Sequence, residues 1–252
     1  MHLQTKAQGG VRMNDSAVFF SRSELEKMAQ PIIEQYKKVC FPKGYLIYDV
    51  DPTALAEMLG YKVEYAYLTQ DGSVLGQTAS VPLWTTVINT TIGKTYYFLD
   101  GRTILVDKRL LCNPRLNGRK NFTIAHELAH LLLNQRYSAL GDAQDSHCCY
   151  NRQIVKKKVT DWYEWQADVL ATALLLPPDA LDLAMFWFGL GNKMKVLSRK
   201  YSQYRYERFC EMAQALGVSK TTLAYRMEQL GLLERNYLVA EAQERRKVAC
   251  YG

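Results

Sequence analysis

Three ionisable side chains lie within five residues of an otherwise apolar segment, NFTIAHELAHLLLNQ (121–135). On a helix, the spacing of His126, Glu127 and His130 places both imidazoles on one face, one turn apart. Two nitrogens at that separation can bind one zinc ion, and the glutamate between them can act as a general base toward water. The alternative is a pair of hydrogen-bonded core histidines beside a capped glutamate.

A zinc ion bound by two histidines needs a third protein ligand, and the next apolar helix offers carboxylates. Glu164 and Asp168 are one turn apart in TDWYEWQADVLATALLLPP, beside the small residues Ala167 and Ala171, which allow close helix packing. A carboxylate on this face could complete a His₂Glu site, and Asp168 could accept the outer N–H of a ligating histidine. We favour Glu164 as a ligand over its alternative role in a capping box with Asp161.

The segments FTIAHELAHLLL and EWQADVLATALLLPP together resemble the ImmA/IrrE family of zinc metallopeptidases, of the gluzincin group. The resemblance covers roughly residues 21–235 and includes the strand TILVD before the first helix. It implies that His126 and His130 are zinc ligands, that Glu127 is the catalytic base, and that Glu164 is the third ligand. Asp168 stands at the position of the family's outer carboxylate, which does not bind the metal directly.

The resemblance implies an endopeptidase that cleaves one specific protein, a helix-turn-helix transcriptional repressor of a phage or another mobile element. The group that would stabilise the oxyanion is not identified; His147, Tyr150, Arg152 and Tyr163 are candidates only because they are near in sequence. The alternative function is a DNA-binding or protein-interaction regulator whose zinc site is not catalytic.

The C-terminal segment 193–252 is basic, with 12 Lys/Arg against 6 Asp/Glu, whereas residues 1–192 hold 20 against 19. The spacing of Ala213, Gly217, Val218 and Leu223 is typical of a helix-turn-helix, with Ser219 as the N-cap of its second helix. Contact with nucleic acid is one interpretation of this segment. We favour a packing or substrate-docking role.

The order of the remaining patterns predicts an α+β fold: a small antiparallel sheet packed on the two motif-bearing core helices, with a helical C-terminal appendage. Asp100–Gly101 predicts a tight hairpin between the last two strands, and the polar stretch from 135 to 159 predicts a connection. The predicted strands are YKVEYAYL, SVPLWTTVINTT, KTYYFLD and RTILVD.

Two earlier helices have clear end signals. Ser23 and Glu26 predict a capping box at the start of the first helix. The second is predicted to have Asp51 as its N-cap, Pro52 at its first position and Gly60 as its terminator.

We expect a peptidase domain over 21–192 and the basic helical segment over 193–252. Residues 1–20 are expected to be disordered or to precede the true start, because the codons for residues 8–12 can encode a ribosome-binding sequence just before Met13. The six cysteines form no C-x-x-C pair, which favours reduced thiols in a cytosolic protein. No apolar run approaches the roughly 20 residues of a membrane span.

Overall fold

The computed structural model describes residues 11–13, 17–41, 49–139, 146–150, 162–238 and 240. It is a mixed helical and sheet structure, in agreement with the predicted α+β class. The chain divides into two compact units, one of Met1–Gly44 with Asp51–Leu175 and one of Tyr45–Val50 with Leu176–Gly252. No single helix in the described ranges is long and apolar enough to cross a membrane, although two successive helices, 162–175 and 178–187, reach that length together.

The first unit contains the two motif-bearing helices. Its described helices are α1 (Arg22–Cys40), α2 (Pro52–Met58), α3 (Asn117–Ala139) and α4 (Trp162–Leu175). Its described strands are β1 (Val11–Met13), β2 (Ala17–Phe19), β3 (Lys62–Ala66), β4 (Val74–Ala79), β5 (Leu83–Asn89), β6 (Gly93–Leu99), β7 (Thr103–Asp107) and β8 (Ser146–Tyr150). The paired strands β1 and β2 lie within 1–20; residues 1–10 and 14–16 are outside the described ranges, and the expected start at Met13 stays a prediction.

Helix α1 begins two residues earlier than predicted. Its N-cap is Ser21, which forms a capping box with Glu24, so the assignment to Ser23 and Glu26 was wrong. Both serine–glutamate pairs have the required spacing, and the box forms at the first of them. The backbone N–H of Phe20, just before this cap, is bonded to a side chain of α4.

The end signals of α2 are confirmed. The carboxylate of Asp51 accepts the backbone N–H of Thr53, and Pro52 occupies the first turn. The chain then leaves the helix through Gly60, whose φ of +83° lies in the left-handed region that favours glycine.

The main sheet is mixed, which corrects the predicted antiparallel sheet. Its strand order is β3-β7-β4-β8, with β3 parallel to β7 and the other two neighbouring pairs antiparallel. All five residues of β7 are buried, as is typical of a strand covered on both faces. This burial agrees with the position of β7 inside the sheet, between β3 and β4.

The predicted hairpin at Asp100–Gly101 was also wrong. Gly101 does make a turn, with φ of +80°, and the Asp100 carboxylate accepts the N–H of Arg102. This turn carries the chain from one sheet to another, because β6 pairs with β5 while β7 pairs with β3 and β4. Strand pairing over seven residues of β5 and β6 therefore outweighs the local turn signal.

The two faces of the main sheet have different neighbours. Directly paired residues share a face, so Gly76 of β4 lies with Val106 of β7 on the side that meets α3. On the opposite face, Leu105 packs in one apolar cluster with Val87 of β5 and Leu99 of β6. Strand β4 thus lies between α3 and the β5–β6 hairpin.

The second unit contains helices and a strand pair where only helices were predicted. Its described elements are α5 (Pro178–Trp187), β9 (Met194–Leu197), α6 (Gln203–Ala215), α7 (Lys220–Gln229) and β10 (Leu233–Asn236), with β9 and β10 parallel. Met194 and Leu197 of β9 are buried while Lys195 is exposed, which is the short amphipathic pattern that the helical interpretation overlooked.

The predicted cap of α7 is confirmed within this unit. Ser219 is the N-cap and accepts the N–H of Thr222. Lys220 and Thr221 are exposed at the start of the helix. Whether this helix pair acts as a helix-turn-helix stays a prediction.

Candidate metal centre

The motif residues of α3 are buried deep in the first unit. His126, Glu127 and His130 are 1%, 0% and 2% exposed, although α3 is apolar around most of its circumference. Buried ionisable groups of this kind require partners, because desolvation of an unpaired charge is strongly unfavourable. Helix α4 packs against α3 and supplies the partners on one side.

His126, His130 and Glu164 bring one ligand atom each to a common point. The Nε2 atoms of the two histidines are 3.0 Å apart, and each lies 3.4 Å from a carboxylate oxygen of Glu164. Ligands of a tetrahedral zinc ion at 2.0–2.1 Å would be separated by about 3.3 Å. The donor set and its spacing therefore fit a zinc ion, and the group could hold a metal.

Asp168 contacts the opposite nitrogen of His126. Its Oδ1 lies 3.0 Å from Nδ1 of the imidazole, whereas Nε2 faces Glu164. A carboxylate at Nδ1 favours the tautomer with the proton on that atom and leaves the Nε2 lone pair available to a metal. Glu164 and Asp168 are one turn apart on α4, so a single helix face supplies both contacts.

The electrostatics of the site favour a positive charge. Burial alone would lower the pKa of His126, but the carboxylates of Asp168 and Glu164 at 3.0 and 3.4 Å, with the charge of Glu127, outweigh it and raise the pKa to about 10. Burial would raise the pKa of Glu164, but its contacts with His126 and His130 hold it well below its usual range. A divalent cation would supply the same positive charge at this point.

Glu127 faces a different neighbour from the histidines. Its side chain lies beside Gly76 of β4, near Thr123, which precedes it by one helical turn. Glu127 nevertheless remains close enough to His126 to contribute to its raised pKa. The structure therefore places the predicted base beside the candidate metal ligands, on the sheet side of α3.

The first turn of α4 is fixed by contacts that the sequence analysis missed. The buried amide of Gln166 accepts the N–H of Phe20 at 2.6 Å and donates to the carbonyl oxygen of Trp162. The ring of Phe19 packs edge-on against Trp162 and stacks on Trp165. These contacts hold the turn that carries Glu164. A glutamine inside an apolar helix was the available signal.

The remaining candidate residues are placed only in part. His147 and Tyr150 lie in β8, of which the backbone alone is described, and Arg152 and Asp161 lie outside the described ranges. Tyr163 packs edge-on against Tyr137 of α3, with 5.1 Å between ring centroids. None of these placements identifies an oxyanion-stabilising group.

The site combines two histidines one turn apart, a buried glutamate between them in sequence, and a carboxylate from a neighbouring helix. This combination is typical of metallopeptidase sites. A model of a peptidase family, described as the IrrE N-terminal-like domain, matches residues 85–228. The chain belongs to this family, which confirms the resemblance noted from the motifs. A comparison with curated proteins found no match. Family membership supports a peptidase function of the metal-dependent type.

Proposed function

We propose that this chain is a zinc-dependent endopeptidase, with His126, His130 and Glu164 as the metal ligands. The observation that supports it best is the mutual spacing of the three donor atoms, 3.0 Å and 3.4 Å, with both imidazoles buried. Two imidazoles and one carboxylate are a ligand set typical of catalytic zinc. The Glu164 side chain is 22% exposed, so this ligand is not fully enclosed.

When bound, zinc would activate water and polarise the carbonyl group of the scissile bond. Glu127 accepts a proton from the attacking water and delivers it to the nitrogen of the leaving amine. The bond that forms joins the water oxygen to the carbonyl carbon, and the bond that breaks is the peptide C–N bond. Asp168 holds the His126 ring in the orientation and tautomer required for binding.

The substrate in this proposal is a helix-turn-helix transcriptional repressor of a phage or mobile element, cleaved in the cytoplasm. The support for it is the resemblance to the ImmA/IrrE peptidases, together with the match to the family model. Cleavage of a repressor would relieve the repression of its target genes.

A non-catalytic regulator is the second candidate function. It is favoured by the exposed Lys220 and Thr221 at the capped start of α7, in a segment with a net positive charge. This function predicts salt-dependent binding of duplex DNA that is weakened by Lys220→Glu and unaffected by Glu127→Gln. If the chain is a peptidase, substrate cleavage should be lost in Glu127→Gln and unaffected by Lys220→Glu.

The proposal is tested by comparing the wild type with Glu127→Gln. Purified protein would be incubated with candidate repressors, the fragments identified by mass spectrometry, and the zinc content measured by elemental analysis. We expect Glu127→Gln to retain zinc and to lose cleavage by roughly 10²–10⁴-fold, the usual contribution of a general base. Glu57→Gln, at an exposed position of α2, is the matched control. Full cleavage by Glu127→Gln would refute the mechanism.

A further inference from the structure

Strand β4 lies close against α3 at Gly76. A Cβ atom added there would lie 2.8 Å from Oε1 and 2.9 Å from Cγ of Glu127, and 2.7 Å from Cγ2 of Thr123. Real Cβ atoms essentially never make contacts shorter than 3.0 Å, so any other residue at this position would force a neighbour to move. The glycine therefore leaves the space that the Glu127 side chain occupies.

Glycine is required at position 76 because there is no room for a side chain there, and not because of its backbone conformation. Gly76 is absent from the glycines with positive φ, so its backbone conformation is open to other residues. Glycine is unfavourable inside a strand, because it has no side chain to pack and loses more conformational freedom on folding. A local disadvantage of this kind is expected where a neighbouring group must come close.

Strand β4 is held on both edges at this point, so it cannot easily move away from α3. Gly76 is paired with Val106 of β7 on one side and with Cys149 of β8 on the other. The β4–β8 register is irregular between Val74 and Gly76, and such irregularities are frequent beside active sites, where they redirect the strand. A side chain at 76 would then displace Glu127 or Thr123 before it displaced the strand.

We propose that Gly76 is a positioning residue for Glu127: it gives the carboxylate a single place between α3 and β4, beside the candidate metal ligands. This inference rests on the proposed role of Glu127 as the base. Gly76 itself touches neither substrate nor metal in this role. It acts by leaving room for the glutamate side chain against the strand backbone, where the side chain of any other residue would displace it.

The first test measures unfolding of the metal-free protein and needs no substrate. Gly76→Ala is introduced into three backgrounds: the wild type, Glu127→Ala and Thr123→Ser. We expect Gly76→Ala to lower the thermal midpoint of the wild type by roughly 3–10 °C, as overpacking does in a chain of this size. The loss should be clearly smaller beside Glu127→Ala, which removes two of the three close contacts. Relief only beside Thr123→Ser, or in neither background, would overturn the proposal.

The second test compares zinc content and cleavage kinetics. We expect Gly76→Ala to keep its zinc, to lower kcat by about 10²-fold or more, and to change KM little, because a misplaced base affects the chemical step. Gly101→Ala is the matched control, since it is strained by a φ of +80° and lies near Ser80 rather than Glu127. An equal loss of kcat in both variants would indicate general destabilisation and overturn the proposal.

The two tests separate this inference from the proposed function. If the wild type cleaves no candidate substrate, the peptidase proposal fails, and the unfolding comparison still shows whether Gly76 holds Glu127 in place. If the wild type cleaves and Gly76→Ala cleaves equally well, the peptidase proposal stands and Gly76 has no positioning role.

Discussion

Helix α3 is contacted in different ways by its two neighbours. On the α4 side, the contacts join ionisable groups: His126 and His130 face Glu164, and His126 also faces Asp168, at 3.0 to 3.4 Å. On the β4 side, a glycine backbone lies against the stem and carboxylate of Glu127. Interactions between charged groups thus determine the α4 side of the helix, and close packing determines the β4 side.

The difference predicts different sensitivities for the two sides. Buried imidazoles beside partly buried carboxylates are stable only while their charges are balanced, so the α4 side should respond to protons and metal ions. A closely packed strand responds instead to added volume, because protein interiors contain little free space. A variant that changes charge without size should affect the α4 side, and one that adds a methyl group should affect the β4 side.

The largest effect is expected for Glu164→Ala on the α4 side. Loss of a metal ligand should weaken zinc binding by more than about 100-fold, beyond the range seen for outer partners of a ligand. Competition with a chromophoric chelator measures this affinity, with the exposed Glu57→Ala as control. Unchanged affinity in Glu164→Ala would show that the carboxylate is not a ligand and that α4 contributes only charge.

A smaller effect is expected for Asp168→Asn, which removes charge and preserves size. The amide can still present an oxygen to Nδ1 of His126, so the ring keeps a partner but loses the negative charge that increases its basicity. Zinc affinity should fall by about 10- to 100-fold. The same chelator competition measures it, with the exposed Asp182→Asn as control. An affinity as low as that of Glu164→Ala would mean that Asp168 itself binds the metal.

The pH dependence of zinc binding should be about tenfold per unit. Contacts with carboxylates raise the pKa of His126 to about 10 in the metal-free protein, so its proton is held below that pH and must be displaced by the metal. Affinity should therefore fall as the pH is lowered, by about tenfold per unit for one released proton. Titrations at several pH values measure the slope. A flat profile between pH 7 and 9 would contradict this charge balance.

The sequence predicted the α4 side of the site better than the β4 side. HExxH spacing and the i, i+4 spacing of Glu164 and Asp168 define helix faces, and helix geometry then restricts which side chains can meet. The structure brings the two histidines together with Glu164 and Asp168, while their chemical roles stay predictions. The two helices are long and apolar, so their existence could be inferred from pattern alone.

Strands β4 and β8 were not predicted at all. The segment VLGQTA (74–79) contains a glycine and a glutamine, and its pattern predicts no element; residues 146–150 fall within the predicted polar connection. Strand formation depends on pairing with distant segments, which a local pattern does not show. Gly76 has no side chain, which lowers the local strand signal and also leaves room for Glu127 beside the strand.

The smallest effect is expected where the chain enters β4. Arg109 donates to Asp107 and to the backbone carbonyls of Thr69 and Gln70, and its guanidinium covers the ring of Tyr67 at 5.1 Å. Arg109→Lys keeps the charge but loses the planar donor fork, and it should lower the free energy of unfolding by about 1 kcal/mol. Chemical denaturation measures this loss, with Arg115→Lys at an exposed position as control.

Zinc affinity should not change in Arg109→Lys, because the contacts of Arg109 hold the loop before β4 and include none of the charged groups between α3 and α4. A loss of zinc affinity in Arg109→Lys would show that the two sides of α3 are coupled.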